Sequence, residues 1–358
     1  MRSNLSHLKV VEIASVLAGP SVGLFFAELG ASVLKVENKK TGGDVTRSWK
    51  LPSEDKDAPI SAYYCSVNWN KESILLDFKD PESFQLLLKH IETADLLIAN
   101  FKKGDAEKFG LDYPKMKALN PNLIYGEITG FGPDSDRVAY DLILQAESGF
   151  MSMNGTPESG PVKMPVALID VLAGHQLRAG IMMALYERDA MKKGGAHVQV
   201  SLYDAAVGAL ANQATNWLMA QHIPVRMGSQ HPNIAPYGEL FQTKDGKTIT
   251  FAIGSNRQFK NLCKTLESPS IAEDPRFRSN ANRVTNRAAL KEILEGLVIK
   301  FEKKNLLETL HALFVPVAEI KDLKAVFETP AAQNLVLEEE REGLRTKRVE
   351  STVFRIER

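Results

Sequence analysis

Residues 8–37, LKVVEIASVLAGPSVGLFFAELGASVLKVE, decide the fold class of this chain. The segment LKVVEIA (8–14) has the length and β-branched composition of a strand, and a turn with glycine and proline follows it. VGLFFAELG (22–30) is apolar at helical spacing, and ASVLKVE (31–37) is a second strand. This strand–helix–strand order predicts a parallel sheet with helices packed on its faces.

The same alternation continues along the chain. Further strands are predicted in SILLDF (73–78), DLLIANF (95–101) and LIYGEITGFG (123–132), with a helix in PESFQLLLKHIETA (81–94). The strands are apolar almost throughout, which is typical of a sheet covered on both faces. Ligands of such sheets bind beyond the carboxyl ends of the strands, where this chain has loops rich in Gly, Lys, Arg and Asn. We therefore predict an α/β fold with a Rossmann-like parallel sheet.

The character of the sequence changes after the last of these strands. A loop rich in Gly, Ser, Pro and Met covers 148–165, and a helix with several small residues is predicted over 171–189. A hairpin turn, KDGK, marks a separate α+β module. We predict a large domain over 1–224, completed by 311–358, and a small domain over 225–310.

Charge and cysteine content limit the possible partners. The 358 residues contain 44 Lys plus Arg and 44 Asp plus Glu, so net charge gives no reason to expect nucleic acid or an anionic membrane. Cys65 and Cys263 lie far apart, which argues against a disulfide framework and favours a reducing compartment. The first residues lack the apolar run of a signal peptide, and no stretch approaches about 18 uninterrupted apolar residues. A cytoplasmic protein is expected.

Three common enzyme classes lack their motifs here. The first turn reads LAGPSVG rather than GxGxxG, although Glu37 follows Gly19 at a spacing that resembles nicotinamide-binding proteins. The seven histidines form neither HxH nor HExxH, and no Cys/His cluster accompanies them, so no metal is expected. The GxSxG motif of serine hydrolases is also missing from the sequence.

Asp170 is the most conspicuous single residue. It stands between an apolar run and a small-residue helix in PVALIDVLAG, where an ionised carboxylate is costly unless it is paired or used. The residues alone leave two interpretations, a helix N-cap or a chemical role.

Several basic residues lie near the predicted strand ends. Each of them taken singly is a surface charge, whereas together they could contact the phosphates of a nucleotide-like ligand. They are Arg47, Lys71, Lys102, Lys103, Lys108 and Arg137.

At this point the sequence resembles the family III CoA-transferases, a group that includes formyl-CoA transferase, carnitine CoA-transferases and 2-methylacyl-CoA racemases. The similarity runs in the family's order over roughly residues 8 to 255 and is weaker in FVPVAEIKDLKAVFETP. The matching stretches include the opening strand–helix–strand, GGDVTR, NWNKESILLDFKDPE, LLIANFKKGDAEKFGLDY, LNPNLIYGEITGFGP, YDLILQAESG, VALIDVLAG and HPNIAPYGELFQTKDGK.

The resemblance implies a fold, an assembly and a site. It implies interlocked homodimers, with a Rossmann-like sheet built from both chain ends and a smaller domain between them. It implies acyl-CoA and a small carboxylic acid as substrates, with no tightly bound cofactor, and Asp170 as the catalytic residue. The positions that would contact CoA are Leu17, Ala18, Asn38, Asn68, Trp69, Asn70, Lys71, Asn100, Phe101, Lys102, Lys108, Val138, Ala139 and Tyr140, with Asn38 standing where some members have arginine.

Two chemistries occur among the proteins this chain resembles. In the transferases an aspartate attacks the thioester, and a helix beginning after Asp170 is expected to supply N–H groups and a dipole that keeps the carboxylate ionised. The racemases use a His-Asp pair that corresponds here to Tyr140 and Asp141, and tyrosine is a poor base at neutral pH. The resemblance thus favours CoA transfer over racemisation; a non-catalytic CoA-binding protein is the further alternative.

The acids that exchange CoA are left open by the sequence. The glycine run of oxalate-type members is missing, and AIGSNRQF (252–259) stands near its place, which disfavours oxalate. The methionines of residues 151–165 would suit an adaptable apolar acyl pocket, or they are loop residues without such a role.

Overall fold

A computed structural model describes residues 4–357 of the chain. Two compact units divide it. The first unit runs to Ser152, includes Val162–Pro224 and resumes at Asn334, and the second unit comprises Met153–Pro161 and Val225–Gln333. The predicted return to the large domain at residue 311 falls inside a helix of the second unit. That helix packs Leu306 and Leu310 into the second unit's core, so the chain returns at Asn334 instead.

The first unit is built on a six-stranded, wholly parallel sheet, which confirms the predicted α/β class. Its strands are β1 (Lys9–Glu12), β2 (Ser32–Asn38), β3 (Glu72–Leu76), β4 (Leu96–Ala99), β5 (Ile124–Thr129) and β6 (Ala196–Ser201). Their spatial order is β3-β2-β1-β4-β5-β6, so the direction of winding reverses between β1 and β4. The loops after these two strands diverge at that point and leave a crevice for a ligand.

Ten helices follow or connect these strands within the described part of the chain up to residue 220. They are α1 (Ala18–Glu28), α2 (Ala62–Cys65), α3 (Pro81–Glu92), α4 (Asp105–Phe109), α5 (Tyr113–Leu119), α6 (Asp141–Glu147), α7 (Phe150–Met153), α8 (Leu168–Met191), α9 (Leu202–Gly208) and α10 (Ala211–Ala220). Two short 3₁₀ turns lie at Lys39–Thr41 and Val45–Ser48. The helix predicted over 171–189 begins three residues earlier, so Asp170 lies inside its first turn.

Helix α8 packs closely against α1 and against β6 because it has a glycine at each of these contacts. A Cβ on Gly174 would lie 2.3 Å from Ser21 Oγ, and a Cβ on Gly180 would lie 2.6 Å from a methyl group of Val198. Among residues 4–357, α8 is also the one helix whose length and apolar composition would permit a membrane span. Its residues Ile169 and Leu177 are fully buried in the core of the first unit, where apolar composition is expected.

The second unit contains a small antiparallel sheet and its own core. The sheet consists of β7 (Tyr237–Gln242), β8 (Thr248–Ala252) and β9 (Val317–Glu319), and β7 and β8 form the predicted hairpin around KDGK. The unit also has a 3₁₀ turn at Pro269–Glu273 and the helices α11 (Asn256–Thr265), α12 (Asn280–Thr285), α13 (Arg287–Val298), α14 (Lys303–Ala312), α15 (Leu323–Phe327) and α16 (Pro330–Gln333). Phenylalanines and leucines of both layers fill its core.

The end of the chain returns to the first unit without joining the main sheet. Strands β10 (Val336–Arg341) and β11 (Leu344–Val349) pair only with each other among the described residues. Arg341 of this hairpin donates to the carbonyl oxygens of Asn68 and Lys71, and Arg348 pairs with the buried Glu28. The expected sheet from both chain ends is therefore wrong in this respect: the six-stranded sheet comes from residues 9–201, and the hairpin docks by arginine side chains.

Candidate active site

A cleft of about 700 Å³ opens at the carboxyl ends of β1, β4 and β5 in the first unit. The loops that follow these three strands form its walls, as expected for a parallel sheet with a winding reversal. Asp170 of α8 lines the same cleft. The predicted site residues that line it are Leu17, Ala18, Asn100, Phe101, Lys102, Val138, Ala139, Tyr140 and Asp170.

The turn after β1 is held in an unusual backbone conformation. Val16 has a φ of 72°, which is costly for a β-branched residue and marks a position that its surroundings constrain. Its N–H points to the Asp44 carboxylate, 3.2 Å from Oδ2. Asn100 ties the neighbouring loop to this turn, because its side chain accepts from Ser15 N at 3.0 Å and donates to Ser15 O at 2.9 Å. The backbone of the turn is thereby fixed before any ligand binds.

A buried network of charges supports that turn from below. Glu12 is fully buried, and its two oxygens bind Lys35 Nζ at 3.1 Å and Lys71 Nζ at 2.7 Å. Lys35 also binds Asp44, at 3.1 Å. Gly23 makes room for this network, since a Cβ there would lie 1.8 Å from Glu12 Oε2. Burial lowers the pKa of Lys71 to about 7, against the opposing pull of Glu12.

Asp170 is the third residue of α8 and has only 8% of its surface exposed. Burial raises its pKa to about 7, and the nearby charge of Asp141 adds to the increase. Across residues 4–357, no hydrogen-bond donor contacts the Asp170 carboxylate. Two expectations were therefore wrong. Asp170 is not the N-cap of α8, and its pKa is raised rather than lowered, because burial and the charge of Asp141 both act against ionisation.

Asp141 supplies the cap that α8 does not contain. The residue at the N-cap position, Ala167, has no side-chain acceptor, whereas Asp141 Oδ1 accepts the N–H of Ile169 at 2.7 Å. The other carboxylate oxygen of Asp141 accepts from Gln145 Nε2 at 2.6 Å. This carboxylate on α6 thus satisfies one of the free N–H groups at the start of α8, close to Asp170.

Tyr63 of α2 is a second ionisable neighbour of Asp170. Burial and the charge of Asp170 raise the pKa of Tyr63 to about 12, so its phenol keeps its proton at neutral pH. Its ring packs edge-on against Trp49, with ring centroids 5.1 Å apart. Tyr63 therefore belongs to an aromatic pair with Trp49 and is close enough to Asp170 for the charge of Asp170 to act on its phenol. Neither residue was selected from the sequence.

Six predicted CoA-contacting residues do not line the cleft: Asn38, Asn68, Trp69, Asn70, Lys71 and Lys108. The buried ones are bound to the protein itself. The Lys71 ammonium is bound to Glu12, Pro20 O and Asn68 Oδ1, and Asn68 donates to Tyr64 O at 2.9 Å. Trp69 packs in a small apolar cluster.

The remaining three of these residues are exposed outside the cleft. Asn38 caps the 3₁₀ turn Lys39–Thr41 with its side chain. The backbone N–H of Asn70 donates to Glu339 at 2.9 Å. Lys108 lies 3.8 Å from Asp105 on the surface of α4. A contact of these residues with CoA stays a prediction.

The cleft also contains polar residues that sequence reasoning missed. On the sheet face away from α8, Glu127 Oε2 accepts from Gln199 Nε2 at 2.9 Å and lies 3.0 Å from His197 Nε2. The His197 ring stacks on Tyr113, with ring centroids 4.6 Å apart. Alternation in YGEIT and AHVQVS was the available signal, because parallel pairing places Glu127 beside Gln199. His175 is exposed and lies outside the cleft.

The structure also bears on metals and cysteines. In the described part of the chain, no group of three or more His, Cys, Asp or Glu side chains is arranged to hold a metal ion. Cys65 and Cys263 are buried free thiols, and burial raises the pKa of Cys65 to about 11 and that of Cys263 to about 12. Both thiols are therefore protonated and shielded at neutral pH.

Comparison with known proteins agrees with this architecture. Residues 5–356 match the model of the CoA-transferase family III. The chain is 41% identical, over 92% of its length and 83% of the relative's, to a succinate–glutarate CoA-transferase of Agrobacterium fabrum. It is 34% identical to a human succinyl-CoA:glutarate CoA-transferase, over 94% of this chain and 76% of the relative's. A crystal structure of a CaiB/BaiF family protein from Brucella suis superimposes with a TM-score of 0.86 at 37% identity, covering 99% of this chain and 93% of that one.

Proposed function

Because the chain belongs to CoA-transferase family III and is a CoA-transferase, we propose that Asp170 is the nucleophile that accepts the acyl group. The observation that carries this proposal is the environment of its carboxylate. Asp170 lines the cleft and is largely buried, and no donor in residues 4–357 occupies its oxygens. A carboxylate with that desolvation is a better nucleophile than a solvated one.

The proposed reaction proceeds by covalent catalysis in balanced steps. An Asp170 oxygen forms a bond to the thioester carbonyl carbon, the carbon–sulfur bond breaks, and its electron pair leaves as CoA thiolate. The thiolate then attacks the Asp170 carbonyl of the mixed anhydride, which releases the donor acid and leaves an aspartyl-CoA thioester. The acceptor carboxylate reverses these two steps to form the new acyl-CoA. Together these steps replace one difficult exchange by several easier acyl transfers.

The cleft offers groups for both parts of acyl-CoA. The exposed Lys102 and Lys103 follow β4, and Arg137 lies across the cleft with them, so cations are available for the phosphates of CoA. In the first turn of α8 the N–H groups of Leu168, Ile169 and Val171 already donate to other groups of the protein, which leaves the N–H of Asp170 as the donor there for an oxyanion of acyl transfer. CoA is a substrate in this scheme, and we propose that no resident cofactor takes part.

The substrates proposed first are short dicarboxylic acids and their CoA thioesters. Two relatives that align with more than nine-tenths of this chain are named for succinate and glutarate, at 41% and 34% identity. A third relative, from Acetobacter aceti and 34% identical, is named an acetyl-CoA:oxalate CoA-transferase, so oxalate belongs in the same panel. The expectation against oxalate, from the missing glycine run, is tested there.

The test combines product analysis with chemical trapping. Succinyl-CoA and acetyl-CoA are each incubated with glutarate, oxalate and longer acids, and new thioesters are detected by mass spectrometry. Hydroxylamine is added to the acyl-enzyme, and a hydroxamate on the peptide containing Asp170 is expected. Asp170→Asn should reduce turnover roughly a thousandfold or more. The matched control is Asp204→Asn, an exposed acid in the first turn of α9.

Other outcomes would support other activities. Full turnover by Asp170→Asn, or a hydroxamate on another residue, would remove Asp170 from the reaction. Deuterium uptake at Cα of a 2-methylacyl-CoA in heavy water, without CoA exchange, would indicate a racemase. Within the described residues no specific contact favours that activity: the family resemblance puts Tyr140 where the racemases have histidine, and His197 is bound to Glu127.

We further propose a homodimer in the cytoplasm. Helix α10 exposes 72% of Leu218 and 82% of Met219, and none of its ten residues is buried within the chain. A second copy covering this helix would remove apolar surface from water. Sedimentation should then give about twice the chain mass of 39.6 kDa, and Leu218→Glu with Met219→Glu should shift it toward one chain. Two buried free thiols suit the reducing cytoplasm.

A further inference from the structure

We propose that Asp141 is a positioning residue for CoA transfer, which anchors the first turn of α8 and places a negative charge beside Asp170. The proposal rests on the proposed role of Asp170 as nucleophile. Asp141 itself makes no contact with substrate in this scheme. It acts on the reaction through the backbone and the charge of its neighbours.

The anchoring is visible in the hydrogen bonds at the start of α8. A helix leaves its first N–H groups without partners inside the helix, and a side chain at the N-cap ordinarily accepts one of them. Ala167 cannot do this, and Asp141 accepts the Ile169 N–H from 28 residues earlier in the chain, at 2.7 Å. Asp170 follows Ile169 directly, so this bond fixes the backbone next to the nucleophile.

A second anchor holds the segment that leads into α8. Gln145 is 1% exposed, and its side chain donates to Asp141 Oδ2 at 2.6 Å. The same amide accepts from Met164 N at 2.8 Å and donates to Met164 O at 3.2 Å. Helix α6 therefore holds the approach to α8 at Met164 and its first turn at Ile169. Asp141 is the residue through which both contacts are joined.

The charge of Asp141 acts on Asp170 with little to offset it. The ionisable groups in electrostatic contact with Asp170 are Asp141 on α6 and the protonated Tyr63 on α2. Helix α1, which packs along α8, has no charged residue before Glu28 at its end, and Glu28 is bound to Arg348. The pKa of Asp170 is raised first by burial and then by Asp141, and no cation within residues 4–357 compensates this.

This arrangement favours the acylated enzyme over the resting one. In the resting state two carboxylates repel each other in a site of low exposure. When Asp170 forms the anhydride it becomes neutral, and the negative charge moves to the sulfur of the CoA thiolate. The repulsion is therefore present in the ground state and decreases toward the product of the step, which is the condition for it to increase the rate.

The experiment separates the two roles with Asp141→Asn and Asp141→Ala in the full chain. Asparagine keeps an oxygen for Ile169 N–H and removes the charge, with its amide nitrogen replacing the oxygen that accepts from Gln145 Nε2, whereas alanine removes the whole carboxylate. For the wild type, kcat/KM for the acyl donor should rise with pH around a midpoint near 7, since Asp170 must ionise to attack. Both variants should move that midpoint down by on the order of one pH unit.

The two variants should differ in turnover and stability. Asp141→Asn should lower kcat at its high-pH plateau by a few-fold, because the ground-state repulsion is gone, and it should melt within a few degrees of wild type. Asp141→Ala should lose about a further tenfold in kcat, because the freed turn displaces Asp170. The control Asp204→Asn should leave both the midpoint and kcat unchanged.

Three results are decisive against the proposal. An unchanged midpoint in a folded Asp141→Asn variant would remove the electrostatic role. Equal kcat for the Asn and Ala variants would remove the anchoring role. Hydroxylamine trapping of the wild type runs in parallel: absence of a hydroxamate at Asp170 would refute the nucleophile assignment, whereas its presence with an unchanged midpoint refutes only the role of Asp141.

Discussion

Replacing Asp170 by asparagine is expected to stabilise the first unit above neutral pH while it abolishes turnover. The carboxylate is 8% exposed and has no hydrogen-bond donor in the described chain, so its ionised form is unfavourable in the folded state. Asparagine has nearly the same shape and carries no charge. The folded variant would therefore lose an unfavourable buried charge and keep its packing, but it would no longer catalyse the reaction.

The magnitude follows from the two pKa values of this group. Its ordinary pKa is 3.8, and burial with the charge of Asp141 raises it to about 7 in the folded protein. At 1.36 kcal/mol for each tenfold change, the difference corresponds to about 4 kcal/mol. The folded state holds the Asp170 proton more tightly than the unfolded state does. This contribution to the free energy of unfolding is therefore fully present below pH 3.8 and is lost as the pH rises to about 7.

The assay is urea unfolding of both proteins between pH 4.5 and 8.5. All three tryptophans, Trp49, Trp69 and Trp217, belong to the first unit, so their fluorescence reports the unit that contains Asp170. The free energy of unfolding of Asp170→Asn minus that of wild type should increase with pH and level off above 7. Relaxation and water entry reduce such penalties, so we expect an increase of about 2 to 4 kcal/mol. A difference that is independent of pH, or a less stable variant at pH 8.5, would refute the reasoning.

Three further predictions concern the support of the site. Asp44→Ala should raise KM for acyl-CoA about tenfold and change kcat less, because the turn at Val16 loses its acceptor; steady-state kinetics with an unchanged KM would contradict this. Glu12→Gln should destabilise the fold by about 3–5 kcal/mol in urea unfolding, since two buried ammonium groups lose their shared anion. Gly174→Ala should cost about 1–3 kcal/mol and Ser21→Ala should restore most of it, because the new Cβ meets Ser21 Oγ at 2.3 Å; additive effects in the double variant would exclude that clash.

Local pattern was sufficient for the sheet. The apolar runs in residues 8–14, 31–37 and 95–101 became β1, β2 and β4, because parallel strands covered on both faces need continuous apolar sequence. The start of α8 was placed too late. Leu168 and Ile169 carry no start signal of their own, since the cap comes from a residue 28 positions away.

Only some of the residues of the site could be predicted from the sequence. Asn100 and Leu17 were predicted from the family resemblance, and their position after strands whose carboxyl ends meet agrees with it. Lys71 lies directly before β3 rather than after a strand, so the rule about carboxyl ends does not apply to it. Its position in the sequence suggests a phosphate ligand, while its buried partner Glu12 lies 59 residues away and occupies its ammonium at 2.7 Å. His197 was missed for the converse reason, because its place in the cleft depends on strand pairing rather than on any motif.

By itself, the sequence determined the α/β class and the loops that form the cleft, since these follow from periodicity, turn chemistry and the composition of short segments, and its resemblance to a known family selected Asp170. Tertiary structure alone decided the direction in which the pKa of that residue shifts and the support of its helix. Desolvation and the field of Asp141 depend on which segments pack together around Asp170, and a hydrogen bond across 28 residues has no signature in either local stretch.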